Sequence, residues 1–197
     1  MSDYTFNEKQ IAARLARLEI TGQVAFVLSC VERLLPNYRA FQREHQWGDA
    51  DVLSRAISLG WEWLSGEAVP EQVLSNAGIA CEQQAPDTED FQSRTVSPAL
   101  DAAMSASALM ALIQTQDTDK AVETATLCRD TVDMFVQELE NMPANSSDLE
   151  SRIRLHPLMQ AELKRQDDDL AALEAGVDPQ QLATGWRSPE VSNIGLS

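Results

Sequence analysis

The sequence predicts an all-α fold: a single-domain multi-helix bundle of six to eight helices around a central buried helix at about residues 97–114. Three observations predict it. Apolar residues recur at helical spacing along most of the chain, with no stretch alternating at the period of a strand. The stretch SPALDAAMSASALMALIQ carries one charge, Asp101, and is apolar on every side of a helical wheel. A helix of that kind needs neighbours on all its faces. Met159, Leu163, Gln166, Leu170 and Leu173 follow one another at steps of four and three, the seam of an antiparallel bundle.

Taken in order, Ile11, Leu15 and Leu18 mark a first helix over Asn7 to Leu18. After Thr21-Gly22, the set Val24, Val27, Leu28, Val31, Leu34 and Leu35 makes a buried second helix. Proline is unfavourable inside a helix, so this one is expected to end near Leu34 and to restart at Pro36, with Tyr38 and Phe41 inward. Trp47-Gly48-Asp49 reads as a turn with Asp49 as cap. The helix after it packs Val52, Leu53, Ala56, Ile57, Trp61 and Leu64 and stops at Gly66. A weaker helix from Pro70 to Gln84 contains Gly78, and the polar run APDTEDFQSRTV connects it to the central helix. Ser97 is the expected N-cap there, with Pro98 at the first helical position. QDTD then caps a long amphipathic helix carrying Val122, Ala125, Val132, Phe135, Val136 and Leu139. Past the loop PANSSD, a last long helix runs from about Asp148 to Ala175, bent at Pro157 and ended by Asp178-Pro179. Residues 1–185 form the bundle domain on this reading, and 186–197 an irregular C-terminal tail.

The chain of 197 residues has a formal net charge of −16. Residues 1–60 hold seven basic and seven acidic residues, whereas residues 61–197 hold 8 and 24, so all the excess lies in the second part. Such a surface repels phosphate backbones and anionic lipid, which argues against nucleic acid and membrane and for a basic protein as partner. Solubility is the plainer use of the same charge. A homodimer is compatible with the sequence. The central apolar stretch is rich in Ser and Ala and short of the roughly 20 apolar residues that span a bilayer. The N-terminus MSDYTFNEKQ lacks the apolar core of a signal peptide. Cys30, Cys81 and Cys128 form no CxxC and cannot all pair; Cys30 and Cys128 lie inside apolar helical segments and read as reduced, buried thiols of a cytoplasmic protein.

Few residues point to chemistry. The sequence has no Gly-rich phosphate loop, no GxSxG and no HExxH. His45 and His156 have no acid or thiol at ligand spacing on the same helical face, so no metal and no cofactor are expected. The candidates are carboxylates inside apolar segments: Glu32, Glu62 and Asp101. With Tyr38 they could line a small pocket for a cation or an acid–base pair. Structural roles compete. Asp101 falls in a first helical turn, where negative charge is favourable; Glu32 could meet an arginine, and Glu62 could face water. Tyr38, Phe41, Trp47, Trp61 and Trp63 cluster in sequence, and two tryptophans at i and i+2 cannot face one way. One of Trp61 and Trp63 is therefore expected at the boundary or exposed, as an interface anchor or a bundle-edge ring. The run Asp167–Asp169 reads as a solvated face.

The segments LARLEITGQVAFVLSCVERLLPNYRAF, WGDADVLSRAISLGWEWL and VSPALDAAMSASAL, with SNIG near the end, resemble the YjaG-like bacterial family, a domain of unknown function. The resemblance covers nearly the whole chain and is loosest over Ala68 to Asp90. It implies an all-helical cytosolic protein with an association with signalling, and brings no established reaction, cofactor or catalytic residue. Two functional readings follow. One is a non-catalytic protein-binding or regulatory module using its acidic surface or the tryptophan-bearing edge. The other is a small-molecule binder or enzyme with a pocket at Glu32, Tyr38, Glu62 and Asp101, which a concave site gathering those side chains would favour.

Overall fold

The computed structural model describes every residue except Met1, Ser2, Ala144, Ser146 and Ser188. Among the described residues there are nine helices and no strand. They are α1 (Glu8–Leu15), α2 (Ile20–His45), α3 (Ala50–Leu64), α4 (Glu71–Glu82), α5 (Val96–Thr115), α6 (Thr118–Leu139), α7 (Leu149–Leu155), α8 (Pro157–Glu174) and α9 (Pro179–Trp186). The all-α bundle is as expected, and the count exceeds six to eight for reasons that lie at two prolines.

Helix α5 sits at the centre and packs against α2, α3, α4 and α6. Its Ala99, Ala103, Leu109, Met110 and Leu112 are fully buried. At 20 residues it has the length and composition to cross a membrane, which the 97–114 stretch was expected to lack, but most of its surface is covered by its neighbours. It begins one turn-fraction earlier than expected. Thr95 is the N-cap, without a side-chain cap bond of its own, and Ser93 Oγ accepts from Thr95 N at 3.1 Å. Ser97 is therefore inside the helix, and Pro98 occupies the third position of the first turn. Its missing N–H still costs nothing there, because the first four N–H groups have no partner within the helix.

Helix α2 does not break at Pro36. It runs unbroken through that residue, and nearly every side chain from Gln23 to Tyr38 is buried. A proline in a helix interior costs about 3 kcal/mol, and a single buried Leu or Val returns roughly 1.5–3 kcal/mol, so burial on all sides outweighs the lost bond. Near this interruption the chain's tail supplies a donor: Asn193 N bonds to the carbonyl of Arg33 at 3.2 Å.

The predicted helix over 148–175 is two helices, because His156 precedes proline and takes an extended conformation (φ −62°, ψ 138°). Its Nδ1 accepts from Leu158 N at 3.2 Å and so caps α8. Asp178-Pro179, expected as a terminator, opens α9 instead: Asp178 Oδ1 accepts from Gln180 N at 2.9 Å, with proline at the first helical position. Trp186 closes that helix. The tail beyond it is irregular but not loose, since Ser192, Asn193 and Ile194 are buried. Asn193 donates to the carbonyl of Cys128 on α6 (3.1 Å) and accepts from Asn37 on α2 (3.0 Å), which gives the SNIG motif a physical task. The predicted loop PANSSD and tail include Ala144, Ser146 and Ser188, which lie outside the described residues. All three cysteines are free and buried.

Candidate functional site

Two charged assemblies lie on α2, one largely buried and one open. The buried one is centred on Arg33, which is 2 % exposed. Its guanidinium bonds Glu162 of α8 through Nε to Oε2 at 3.0 Å and Nη2 to Oε1 at 2.9 Å, and lies 3.5 Å from Asp169 Oδ2. Asp169 also accepts from Ser29 Oγ and from Trp186 Nε1, both at 2.8 Å. Gln166 Nε2 links Glu162 Oε1 (2.9 Å) to the carbonyl of Ala125 (3.1 Å). Burial works to raise the Glu162 carboxyl, but the charge and hydrogen bonds of Arg33 and the bond from Gln166 hold it below its ordinary value. At Asp169 burial wins, and its pKa rises. Asp169 is thus a buried member of an ion cluster, while Asp167 and Asp168 face solvent; one helix turns three successive residues in three directions. The cluster ties α2, α8 and α9 together.

The open assembly is a cleft of about 430 Å³ between α2, α3 and the residue after α9. Glu32, Trp61, Glu62, Glu67, Arg39 and Arg187 line it. Trp61 and Glu32 are both 5 % exposed, and Trp61 Nε1 donates to Glu32 Oε1 at 2.8 Å. Trp61 faces inward because α3 approaches the core closely: a Cβ on Gly60 would lie 3.0 Å from Leu28 and Leu109. The Arg187 guanidinium lies over the Trp61 ring, 4.3 Å from its centroid. Arg39 Nη2 reaches Ser54 Oγ at 3.4 Å on the facing helix. Glu62 and Glu67 are exposed.

The candidates from the sequence are therefore divided. Glu32, Trp61 and Glu62 share this cleft. Trp63 is half-buried, and Trp61 is the member of the pair turned to the core. Tyr38 and Trp47 belong elsewhere, to an aromatic group with Phe41, His45 and Phe91 in which Phe41 and Phe91 have ring centroids 5.1 Å apart and Trp47 and Phe91 5.5 Å. Tyr38 Oη donates to the carbonyl of Gln84 at 2.9 Å, and burial pushes the phenol up to about 12. This group pins the connector before α5, and its key, Phe91, was an isolated aromatic in a polar run. Asp101 is buried between α5 and α6, accepts from Thr131 Oγ1 at 2.7 Å, and is raised to about 6 by burial. Arg33, Glu162 and Arg187 escaped sequence reasoning because their partners lie more than 120 residues away in the chain. Among the described residues, no group of three or more His, Cys, Asp or Glu is placed to hold a metal ion.

The model of a family described as "Protein of unknown function (DUF416)" matches residues 10–197. The chain is 27 % identical over 200 residues to the uncharacterized protein YjaG of Escherichia coli K12, covering 96 % of this chain and 97 % of that protein. It is 28 % identical over 156 residues to YjaG of Salmonella typhimurium LT2, covering 79 % and 77 %. A crystal structure of a DUF416 family protein from Shewanella baltica OS155 superposes with a TM-score of 0.83 at 26 % identity, over 94 % of this chain and 97 % of that one. A match from near the N-terminus to the last residue, together with the same helical fold, makes this chain a member of the YjaG-like DUF416 family.

Proposed function

We propose that the protein is a non-catalytic binding or regulatory module of the bacterial cytoplasm whose acidic surface engages a basic protein partner. One observation carries the reading. Of the 24 acidic residues beyond residue 60, Asp101, Glu162 and Asp169 are buried and Glu123, Asp130 and Asp133 half-buried, while all the rest are exposed. The buried carboxylates are engaged: Glu162 and Asp169 with Arg33, Asp101 with Thr131. These three are taken up inside the fold, and the exposed ones, some of them paired with surface cations such as Arg14 and Lys164, set the sign of the long-range surface potential. Charge of this kind speeds encounter and sets specificity more than it adds affinity, and salt screens it over roughly 8–10 Å. The cleft at Trp61 supports the same reading, as a concave place for a partner side chain.

The test is affinity capture from cell lysate at low and moderate salt, with captured proteins identified and their binding to purified protein measured. The expected partner carries excess positive charge, and its association slows with salt and with Asp90→Lys and Asp168→Lys. A partner bound without salt dependence, or through residues 1–60 alone, contradicts the proposal.

A further inference from the structure

The Trp61 cleft already holds a cation, and it comes from the protein itself. The edge of the indole is fixed by the bond from Nε1 to Glu32, and the carbonyl of Trp61 accepts from Ser65 Oγ at 2.8 Å. Gln180, in the first turn of α9, reaches the same Ser65 hydroxyl at 3.2 Å, which holds the start of α9 beside the residue that follows α3. The indole face that remains is covered by the Arg187 guanidinium, itself on an exposed residue just past the end of α9. Glu62 and Glu67 line the same cleft. A fixed aromatic face beside carboxylates is the chemistry that recognises a cation, and a planar guanidinium stacks on it better than an ammonium does.

We infer that this cleft is a receptor for an arginine side chain of a basic protein partner, and that Arg187 is its internal stand-in, displaced when the partner's arginine docks. The inference rests on the proposed reading of a basic partner and names where it is gripped. A protein, not a free cation, is the occupant to which the observations point. The cleft, at about 430 Å³, is far larger than one guanidinium and holds a side chain with adjoining backbone. With Arg187 displaced, its lining keeps the three carboxylates Glu32, Glu62 and Glu67 against the single cation Arg39. Arg187 is tethered and so competes at a high effective concentration, which keeps the unmodified protein in a low-affinity state.

The experiment titrates the full chain and its Arg187→Ala variant with a capped Gly-Arg-Gly-Arg-Gly peptide, its citrulline counterpart and free agmatine, read by calorimetry and tryptophan fluorescence. Arg187→Ala should bind the arginine peptide about tenfold more tightly than the parent does, as loss of a tethered competitor predicts. The citrulline peptide should not bind saturably, and Glu62→Gln with Glu67→Gln in the Arg187→Ala background should abolish the gain. Should Arg187→Ala lose stability, Arg187→Lys, which stacks less well, should show a smaller gain in the same direction. Equal affinity of parent and variant, equal binding of the citrulline peptide, or agmatine binding as tightly as the peptide would each overturn the inference. Peptide binding at this cleft with no basic protein captured would instead defeat only the proposed function. A salt-dependent basic partner indifferent to Glu62 and Glu67 would defeat only this site.

Discussion

Replacing Arg33 by methionine would leave two carboxylates buried without their cation, and the structure sets the scale of the penalty. Arg33 and Glu162 are each about 2 % exposed or less in their side chains and are joined by hydrogen bonds of 2.9, 3.0 and 3.2 Å, with Asp169 3.5 Å away. Breaking a buried pair by removing one partner costs about 3–5 kcal/mol, because the other charge is stranded. With a urea slope of about 2–3 kcal/mol per molar for a chain of this size, the unfolding midpoint should fall by roughly 1–2.5 M. Urea titration followed by circular dichroism at the helical band reads this directly. Arg33→Met with Glu162→Leu removes the stranded charge as well, so the double variant should recover at least about 1 kcal/mol relative to Arg33→Met alone. The deficit of Arg33→Met should also shrink in acid. In the parent, the lowered Glu162 pKa contributes stability that is present at neutral pH and lost as pH falls through it. In the variant, the uncompensated carboxyls are raised, so stability returns as they protonate. A loss below about 1 kcal/mol for Arg33→Met, or strict additivity in the double variant, would refute the coupling.

Asp101, raised by burial to about 6 from an ordinary 3.8, costs stability that is absent below about pH 4 and complete above pH 6. Asp101→Asn keeps an acceptor for Thr131 and should stabilise the protein by up to about 3 kcal/mol at pH 8 and by nothing near pH 3.5, as pH-dependent unfolding would show; no gain at pH 8 contradicts this. Gly48 has φ +78°, and a Cβ there would stand 2.2 Å from Tyr38 Oη. Gly48→Ala should therefore cost about 2–3 kcal/mol and lower Tm by roughly 4–10 °C, and an unchanged Tm would be the contrary result. Burial pushes the Cys81 thiol up to about 12 and Cys128 well above its ordinary range. An aromatic disulfide reagent should therefore label Cys30, Cys81 and Cys128 only after denaturation, whereas rapid labelling of the native protein would contradict their burial.

What the chain disclosed in advance follows its periodicity. Leu109 and Met110 in an all-apolar stretch, and the seam from Met159 to Leu173, were legible because each helix face repeats locally and the structure buries them. Pro36 misled because a proline's cost is local, whereas the burial that offsets it comes from helices elsewhere in the chain. Asp178-Pro179 misled in the opposite sense: α8 has already stopped at Glu174, before Gly176 with φ +74°, and the pair opens the next helix. At the cleft, Glu32, Trp61 and Glu62 were visible as unusual residues in apolar segments. Their meeting with Arg187, and the separation of Tyr38 and Asp101 from them, depend on packing between distant segments. Asp169 shows the limit most plainly: within a run of three aspartates, nothing local marks the one that bonds Ser29 and Trp186 in the interior.

The central claim, that exposed negative charge and the Trp61 cleft together receive a basic protein, is tested most directly by stopped-flow association and dissociation of the identified partner across a range of salt. The account predicts an association rate that falls steadily with salt, and a dissociation rate that rises for Glu62→Gln with Glu67→Gln and falls for Arg187→Ala. Association indifferent to salt, with dissociation unchanged in both variants, would contradict it.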